Sequence, residues 1–211
     1  MKSDSAFIAV VLDRSGSMSI VKDATIDGFN EFINGQKQQP GEAHLLLVQF
    51  DSIDPHEIVI DAPLTDVPNL TKDTFSPREN TPLHDAMGWT IIEVGERLEK
   101  MPEEERPEKV IIVILTDGHE NASKEFTKEN VANMVKHQTE KYNWTFIFLG
   151  ANQNAVLTAK GFNISADTSM SYNNNPSSTQ EVYLAVSANT SAVRRGLKAS
   201  FTSAQRKAAK Q

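Results

Sequence analysis

Cysteine is missing from all 211 residues. That excludes disulfides, thiolate-held zinc and a cysteine nucleophile, and it suits a reducing compartment. Long apolar runs are missing too, and no segment reaches the length of a transmembrane helix. The opening Met-Lys-Ser-Asp-Ser has neither the apolar run nor the small-residue cleavage site of a secretory signal. A cytoplasmic location is the expectation. Positive charge is scarce outside one end: residues 194–211 carry Arg194, Arg195, Lys198, Arg206, Lys207 and Lys210 and no acid, so a net −7 leaves −13 on the rest. An acidic body argues against general nucleic-acid binding, with the basic stretch Arg194–Lys210 as the one exception. The phosphate-cradling Gly-x-x-x-x-Gly-Lys-Ser/Thr pattern and the Gly-x-Ser-x-Gly nucleophile turn are also absent.

What is present is a globular composition, 39% hydrophobic and 23% charged, on a chain long enough for one ordinary domain. No internal repeat divides it. Residues 1–193 read as a single domain, and 194–211 as a basic tail or an extension of the last helix. The chain is organised around Asp13-Arg14-Ser15-Gly16-Ser17-Met18. Before this stretch, 7–12 are continuously apolar and rich in β-branched residues, the pattern of a strand buried on both faces. After it, 19–38 repeat at helical spacing. The acid and two hydroxyls thus lie between the carboxyl end of a strand and a helix, where open α/β sheets bind ligands. The same residues are also ordinary turn and N-cap chemistry, and from this stretch alone both readings stand.

Further along, 43–50 and 57–62 predict two strands joined by a hairpin, the second at the sheet edge. Residues 63–80 predict a loop. Thr81-Pro82-Leu83 opens a helix running to Lys100, with Thr81 in the N-cap place and Pro82 in the first turn. Residues 109–116 form the strongest strand pattern in the chain and end at Asp117. A helix follows over 127–142, a strand over 144–150, a short helix over 152–160 and a last strand over 162–166. Residues 172–176 read as a loop, and 179 to about 196 as a final helix. Strands alternating with helices predict a doubly wound α/β fold, with a mainly parallel central sheet and one antiparallel edge strand. If strands 7–12 and 109–116 are neighbours, Asp13, Ser15, Ser17, Thr81 and Asp117 converge at one end of the sheet. Two carboxylates and three hydroxyls are hard oxygen donors of the kind Mg²⁺ accepts, with Mn²⁺ or Ca²⁺ as alternatives.

Asp-x-Ser-Gly-Ser after an apolar strand, Thr-Pro-Leu opening a helix and Leu-Thr-Asp-Gly after another strand resemble the metal-ion-dependent adhesion site (MIDAS) of von Willebrand factor type A domains. The resemblance covers residues 7 to about 168. Its wording, including Gly-Phe-Asn-Glu-Phe and Thr-Asp-Gly-His-Glu-Asn, is most similar to small stand-alone members from bacteria and their phages. The resemblance implies a Rossmann-like fold and a non-enzymatic, cation-dependent protein-binding module. It implies Ser15, Ser17 and Thr81 as direct ligands, Asp13 mostly one water removed, and Asp117 either way. It also implies a partner protein that completes the coordination with an Asp or Glu carboxylate. One departure stands out: Arg78-Glu79-Asn80-Thr81 replaces the usual Gly-x-Thr, and Asn80 is expected to supply the left-handed backbone.

Two other classes compete: a metal-free structural or scaffold domain, and a Mg²⁺-dependent phosphatase. The phosphatase needs a second acid two residues after Asp13, where Ser15 stands. His84 and His119 flank the motif residues and read as solvated loop histidines or as rim groups. Arg14 and Met18 read either as rim or as packing residues, and Tyr142 and Trp144 as core and its edge. The basic tail reads as a frayed, solvated helix end, with docking of an acidic partner or nucleic acid as the alternative.

Overall fold

A computed structural model describes residues 1–151 and 154–211. The strands are β1 Lys2–Asp13, β2 Glu42–Phe50, β3 Glu57–Pro63, β4 Pro107–Thr116, β5 Thr145–Ala151 and β6 Ser169–Tyr172. They form one sheet in the order β3-β2-β1-β4-β5-β6, parallel except for β3. Helices α1 Lys22–Lys37, α2 Leu83–Lys100, α3 Lys128–Tyr142, α4 Ala155–Lys160, α5 Pro176–Arg194 and α6 Ser203–Ala208 complete the chain. This is the doubly wound architecture expected, with the antiparallel strand at the edge.

The continuous apolar runs have a simple cause. Along β1, Ile8, Val10 and Leu12 join the core under α1 and α5, while Phe7, Ala9 and Val11 join the core under α2 and α3. Both faces are dry, so alternation would be penalised. β1 lies between β2 and β4, pairing Val10 with Leu47 on one side and with Val113 on the other. From β1 the chain winds first toward β2 and later returns to β4, so the strand order reverses between β1 and β4. The crevice at their carboxyl ends is the natural ligand position of such a sheet.

Several expectations are corrected. The predicted strand at 162–166 is a turn: Gly161 ends α4, Asn163 is left-handed (φ 59°), and a 3₁₀ turn starts at Ala166. Phe162 and Ile164 are buried as core plugs there. The last strand is β6, four residues that pair with Phe148–Ala151 of β5. The first helix starts later than expected, after a 3₁₀ turn at Gly16–Val21. α5 starts earlier, capped by the Asn175 side chain on the Ser178 amide (2.9 Å). α4 starts at Ala155, and the expected first residues of that helix, Asn152 and Gln153, lie outside the described residues.

The basic end is not frayed. Arg194 donates to the carbonyls of Gln36, Pro40 and Gly41, at the carboxyl end of α1 and just beyond it. Arg206 donates to the carbonyls of Ser169 (2.6 Å) and Ala166 (2.7 Å), and Asn173 donates its amide to the Ala209 carbonyl (3.0 Å). Phe201 and Ala209 are buried. Residues 199–210 thus fold back to cover the β6 edge, and two of the six basic groups are spent on orphan carbonyls. Among the described residues, no helix is long and apolar enough to cross a membrane.

Candidate metal centre

Asp13 is the last residue of β1 and is wholly buried. Its Oδ1 accepts the Ser15 amide (2.7 Å) and its Oδ2 accepts the Thr116 hydroxyl (2.6 Å), which comes from the end of the adjacent β4. Ser15 Oγ lies 3.1 Å from Ser17 Oγ, and Ser17 donates to Asp117 Oδ1 at 2.6 Å. Neither serine is spent on a helix cap: Ser15 precedes the 3₁₀ turn without a capping bond, and Val21 precedes α1. Thr81 is buried, and its Oγ1 stands only 3.0 Å from where a Cβ on Gly118 would be. The missing side chain of Gly118 is what admits the threonine beside Asp117. The structure therefore brings Asp13, Ser15, Ser17, Thr81 and Asp117 to one place, in the crevice between β1 and β4.

The loop carrying Thr81 is stitched on two sides. Toward the first loop, Arg78 donates its amide to the Arg14 carbonyl (2.8 Å) and Gly16 donates to the Glu79 carbonyl (2.9 Å). Toward the loop after β4, Thr81 donates to Asn121 Oδ1 (2.9 Å) and accepts the Asn121 amide (3.2 Å). The left-handed residue here is Glu79 (φ 58°), not Asn80. Glu79 occupies the place where the resembled pattern has glycine, so the loop keeps that conformation at some cost in strain. Thr81 is also not the helix cap. α2 starts at Leu83 after Pro82, and its first amides are satisfied from outside: His84 donates to Glu120 Oε2 (3.0 Å) and Asp85 to Ser123 Oγ (3.1 Å). In return, the Asp85 carboxylate accepts the amides of Lys124, Glu125 and Phe126.

Burial pushes the Asp13 carboxyl up to about 6, against the bonds from Thr116 and Ser15 and with added repulsion from Asp117. Burial also raises Asp117, partly offset by bonds from Ser17 and from Asn174 Nδ2 (2.8 Å). The buried Tyr172 phenol is raised by burial and then by the fields of Asp117 and Asp13, which keeps it protonated. No ion pair to Asp13 or Asp117 forms among the described residues; Arg14 and Arg78, from the same loops, bind Asp51 instead. Two desolvated carboxylates without a cation beside them carry a cost that a bound cation would remove. Among the described residues, no group of three or more His, Asp or Glu is arranged to hold a metal ion. A hydroxyl-rich oxygen set of this kind fits a hard divalent ion.

The flanking residues resolve as follows. His84 is half-buried with its ring edge on Phe162 (5.6 Å), and burial lowers its pKa; His119 is exposed. Met18 belongs to the core, and Arg14 is buried among acids of the β2–β3 turn. Among the described residues no histidine hydrogen-bonds either serine. Thr116, Asn121 and Asn174 support the site without having been singled out in the sequence. Thr116 and Asn121 lie within quoted motifs, whereas Asn174 comes from the turn between β6 and α5 and had no signal beyond an asparagine run.

No protein-family model and no curated protein matches the sequence. Solved structures do match the fold. Proximal thread matrix protein 1 from the mussel byssus, with a zinc-occupied MIDAS motif, aligns at 15% identity and TM-score 0.62 over 90% of this chain and 47% of its own. A von Willebrand factor type A protein from Catenulispora acidiphila aligns at 15% and 0.56 over 90% of this chain and 43% of its own. The von Willebrand factor domain of the type V pili tip protein Mfa5 from Porphyromonas gingivalis aligns at 8% and 0.59, covering 94% and 98%. This chain therefore has the von Willebrand factor type A fold. It spans under half the length of the mussel and Catenulispora chains and nearly all of the Mfa5 domain.

Proposed function

We propose that this protein is a divalent-cation-dependent protein-binding module rather than an enzyme. Ser15, Ser17 and Thr81 would hold Mg²⁺ directly, with Mn²⁺ as a substitute, while Asp13 and Asp117 balance its charge. The observation that carries the reading is the pair of buried carboxylates, without an ion-pair partner among the described residues, set beside the hydroxyls of Ser15, Ser17 and Thr81. When bound, the cation supplies a Lewis-acid centre open to a carboxylate from a partner. The residues of this chain do the rest. Asp13 is locked by Thr116 and the Ser15 amide, so its charge stays one step behind the hydroxyls. Asp117 is held between Ser17 and Asn174. Ser17 alone of the three hydroxyl residues is exposed, which marks the side from which a partner reaches the site.

Two aspartates against a divalent ion leave the centre formally near neutral, so an incoming Asp or Glu does not meet excess negative charge. Among the described residues no histidine is bonded to either serine, which supports the non-enzymatic side of the reading. Isothermal titration with Mg²⁺ and with Mn²⁺ tests the site. Binding that disappears in Asp13→Ala is expected, and equal binding by that variant refutes the assignment. A pull-down with and without EDTA tests the partner, and capture that EDTA leaves unchanged counts against cation dependence.

A further inference from the structure

Asp51 lies in the turn after β2 and contributes nothing to the five-residue group, yet it is wholly buried. Its two oxygens have separate tasks. Oδ1 accepts the amides of Ile53 (2.8 Å) and Asp54 (3.0 Å) and so fixes its own turn. Oδ2 accepts Nε of Arg14 (2.7 Å) and Nε of Arg78 (2.8 Å). Arg14 sits between Asp13 and Ser15. Arg78 adjoins Glu79 on the loop that leads to Thr81. One carboxylate oxygen thus grips both hydroxyl-bearing loops. The outer groups repeat the arrangement, with Arg14 continuing to Glu57 and Arg78 to Asp54.

Two backbone bonds also join these loops, but without the carboxylate they would hold two guanidiniums side by side. The Arg14 side chain is only 8% exposed, so water would do little to screen that repulsion. We infer that Asp51 is a positioning residue for the cation site: by drawing Arg14 and Arg78 onto one oxygen it sets the spacing between Ser15/Ser17 and Thr81. This rests on the reading above that those hydroxyls hold a cation. It also makes the β2–β3 turn, with exposed Ile53 and half-exposed Asp54 at its tip, part of the same rigid unit.

The test is Mn²⁺ titration of the full chain, well below its unfolding temperature, with thermal midpoints measured separately in EDTA. Asp51→Asn removes the one fully buried carboxylate paired with the buried Arg14 and can unfold the protein, so Arg78→Ala is the decisive variant. Its side chain is 41% exposed, and its removal leaves the Arg14–Asp51 pair in place. Arg78→Ala should weaken Mn²⁺ binding about tenfold, the usual effect of losing a group that orients metal ligands. Arg78→Lys, which keeps charge but not the planar fork, should recover only part of that loss. A merely structural Arg78 would lower the EDTA midpoint and leave the affinity of the folded protein unchanged. Mn²⁺ affinity of Arg78→Ala within twofold of wild type, while Ser17→Ala loses binding, overturns the inference and spares the cation site. No Mn²⁺ uptake by the wild type overturns both.

Discussion

Ser17 donates its hydroxyl proton to Asp117 Oδ1 at 2.6 Å, across 100 residues of sequence. This bond closes the crevice between β1 and β4 and leaves the Ser17 oxygen as an acceptor, 3.1 Å from Ser15 Oγ. Among the described residues it is one of two side-chain bonds to the Asp117 carboxylate, the other coming from Asn174.

Ser17→Ala should therefore lose cation affinity by tenfold or more, with about 1 kcal/mol of stability lost in EDTA as Asp117 gives up a donor. Ser17→Thr keeps the hydroxyl at an exposed position and should restore most of the binding. Calorimetry on the three proteins decides it. Equal failure of Ala and Thr would show that the hydroxyl is not the active group.

Thr81→Ala separates binding from stability. Because Pro82 and outside groups precede and cap α2, the loss of the Thr81 hydroxyl should weaken the cation while costing little in EDTA. Glu120→Ala should do the reverse. It removes the acceptor of the His84 amide, and of the Ala122 and Ser123 amides as well, with a loss of about 1–2 kcal/mol. Urea unfolding in EDTA measures both, and a larger loss for Thr81→Ala than for Glu120→Ala would contradict the capping account.

How much of this could be read from the chain depended on where each signal lies. β1 and β4 were legible because a strand buried on both faces has no polar alternation. Ser-Met-Ser-Tyr of β6 was not, since four residues with two serines carry almost no apolar pattern. The five convergent residues sit in compact motifs, so the topology alone sufficed to bring them together. Asn174 reaches Asp117, and Asp51 reaches the arginines of the two loops, from other elements, and nothing in one sequence marks a side chain that acts on a loop far away. The docking of the basic tail is illegible for a similar reason: Arg206 and Arg194 bind backbone carbonyls, which have no residue-type signature.

Glu79 is the strained point of the second loop. A non-glycine residue at φ 58° costs about 1–2 kcal/mol relative to an unstrained backbone. Glycine removes that strain but loses about 0.4–1 kcal/mol through the freer unfolded chain. Glu79→Gly should thus gain roughly 0.5–1 kcal/mol in urea unfolding. Destabilisation would mean that the Glu79 side chain contributes more than its backbone costs.

The buried Asp13 gives the cation-free protein a specific pH response. With the folded value raised to about 6 from an ordinary 3.8, the folded state keeps a proton on Asp13 that the unfolded chain has released. Stability from this group is therefore highest below the ordinary value and falls as pH rises through about 6, by on the order of 2–3 kcal/mol. Burial lowers His56 and His84, which act in the opposite direction over part of the same range. The quantity to measure is thus the difference between wild type and Asp13→Asn in EDTA. Asp13→Asn should be the more stable at pH 7.5, and the gap should narrow as pH falls below about 6 and close only toward the ordinary value of 3.8. A gap independent of pH would remove the desolvation argument.

Ser15→Asp puts the charge balance to the sharpest test. Ser15 is buried between the backbone at Asp13 and the exposed Ser17, so a carboxylate there would lie among the groups proposed to hold the ion. Three fixed anions would then face one divalent cation. The variant should still take up Mg²⁺, since an added carboxylate is a good hard ligand. Its centre would carry net negative charge, however, and an incoming Asp or Glu would meet repulsion instead of an open Lewis acid. The expected result is retained metal binding by calorimetry together with lost EDTA-sensitive capture of the partner. Circular dichroism first establishes that the variant is folded. Thr81→Ala provides the contrast, since it should lose the metal and the partner together. Undiminished partner capture by a folded, metal-loaded Ser15→Asp protein would show that recognition does not depend on a carboxylate reaching the cation.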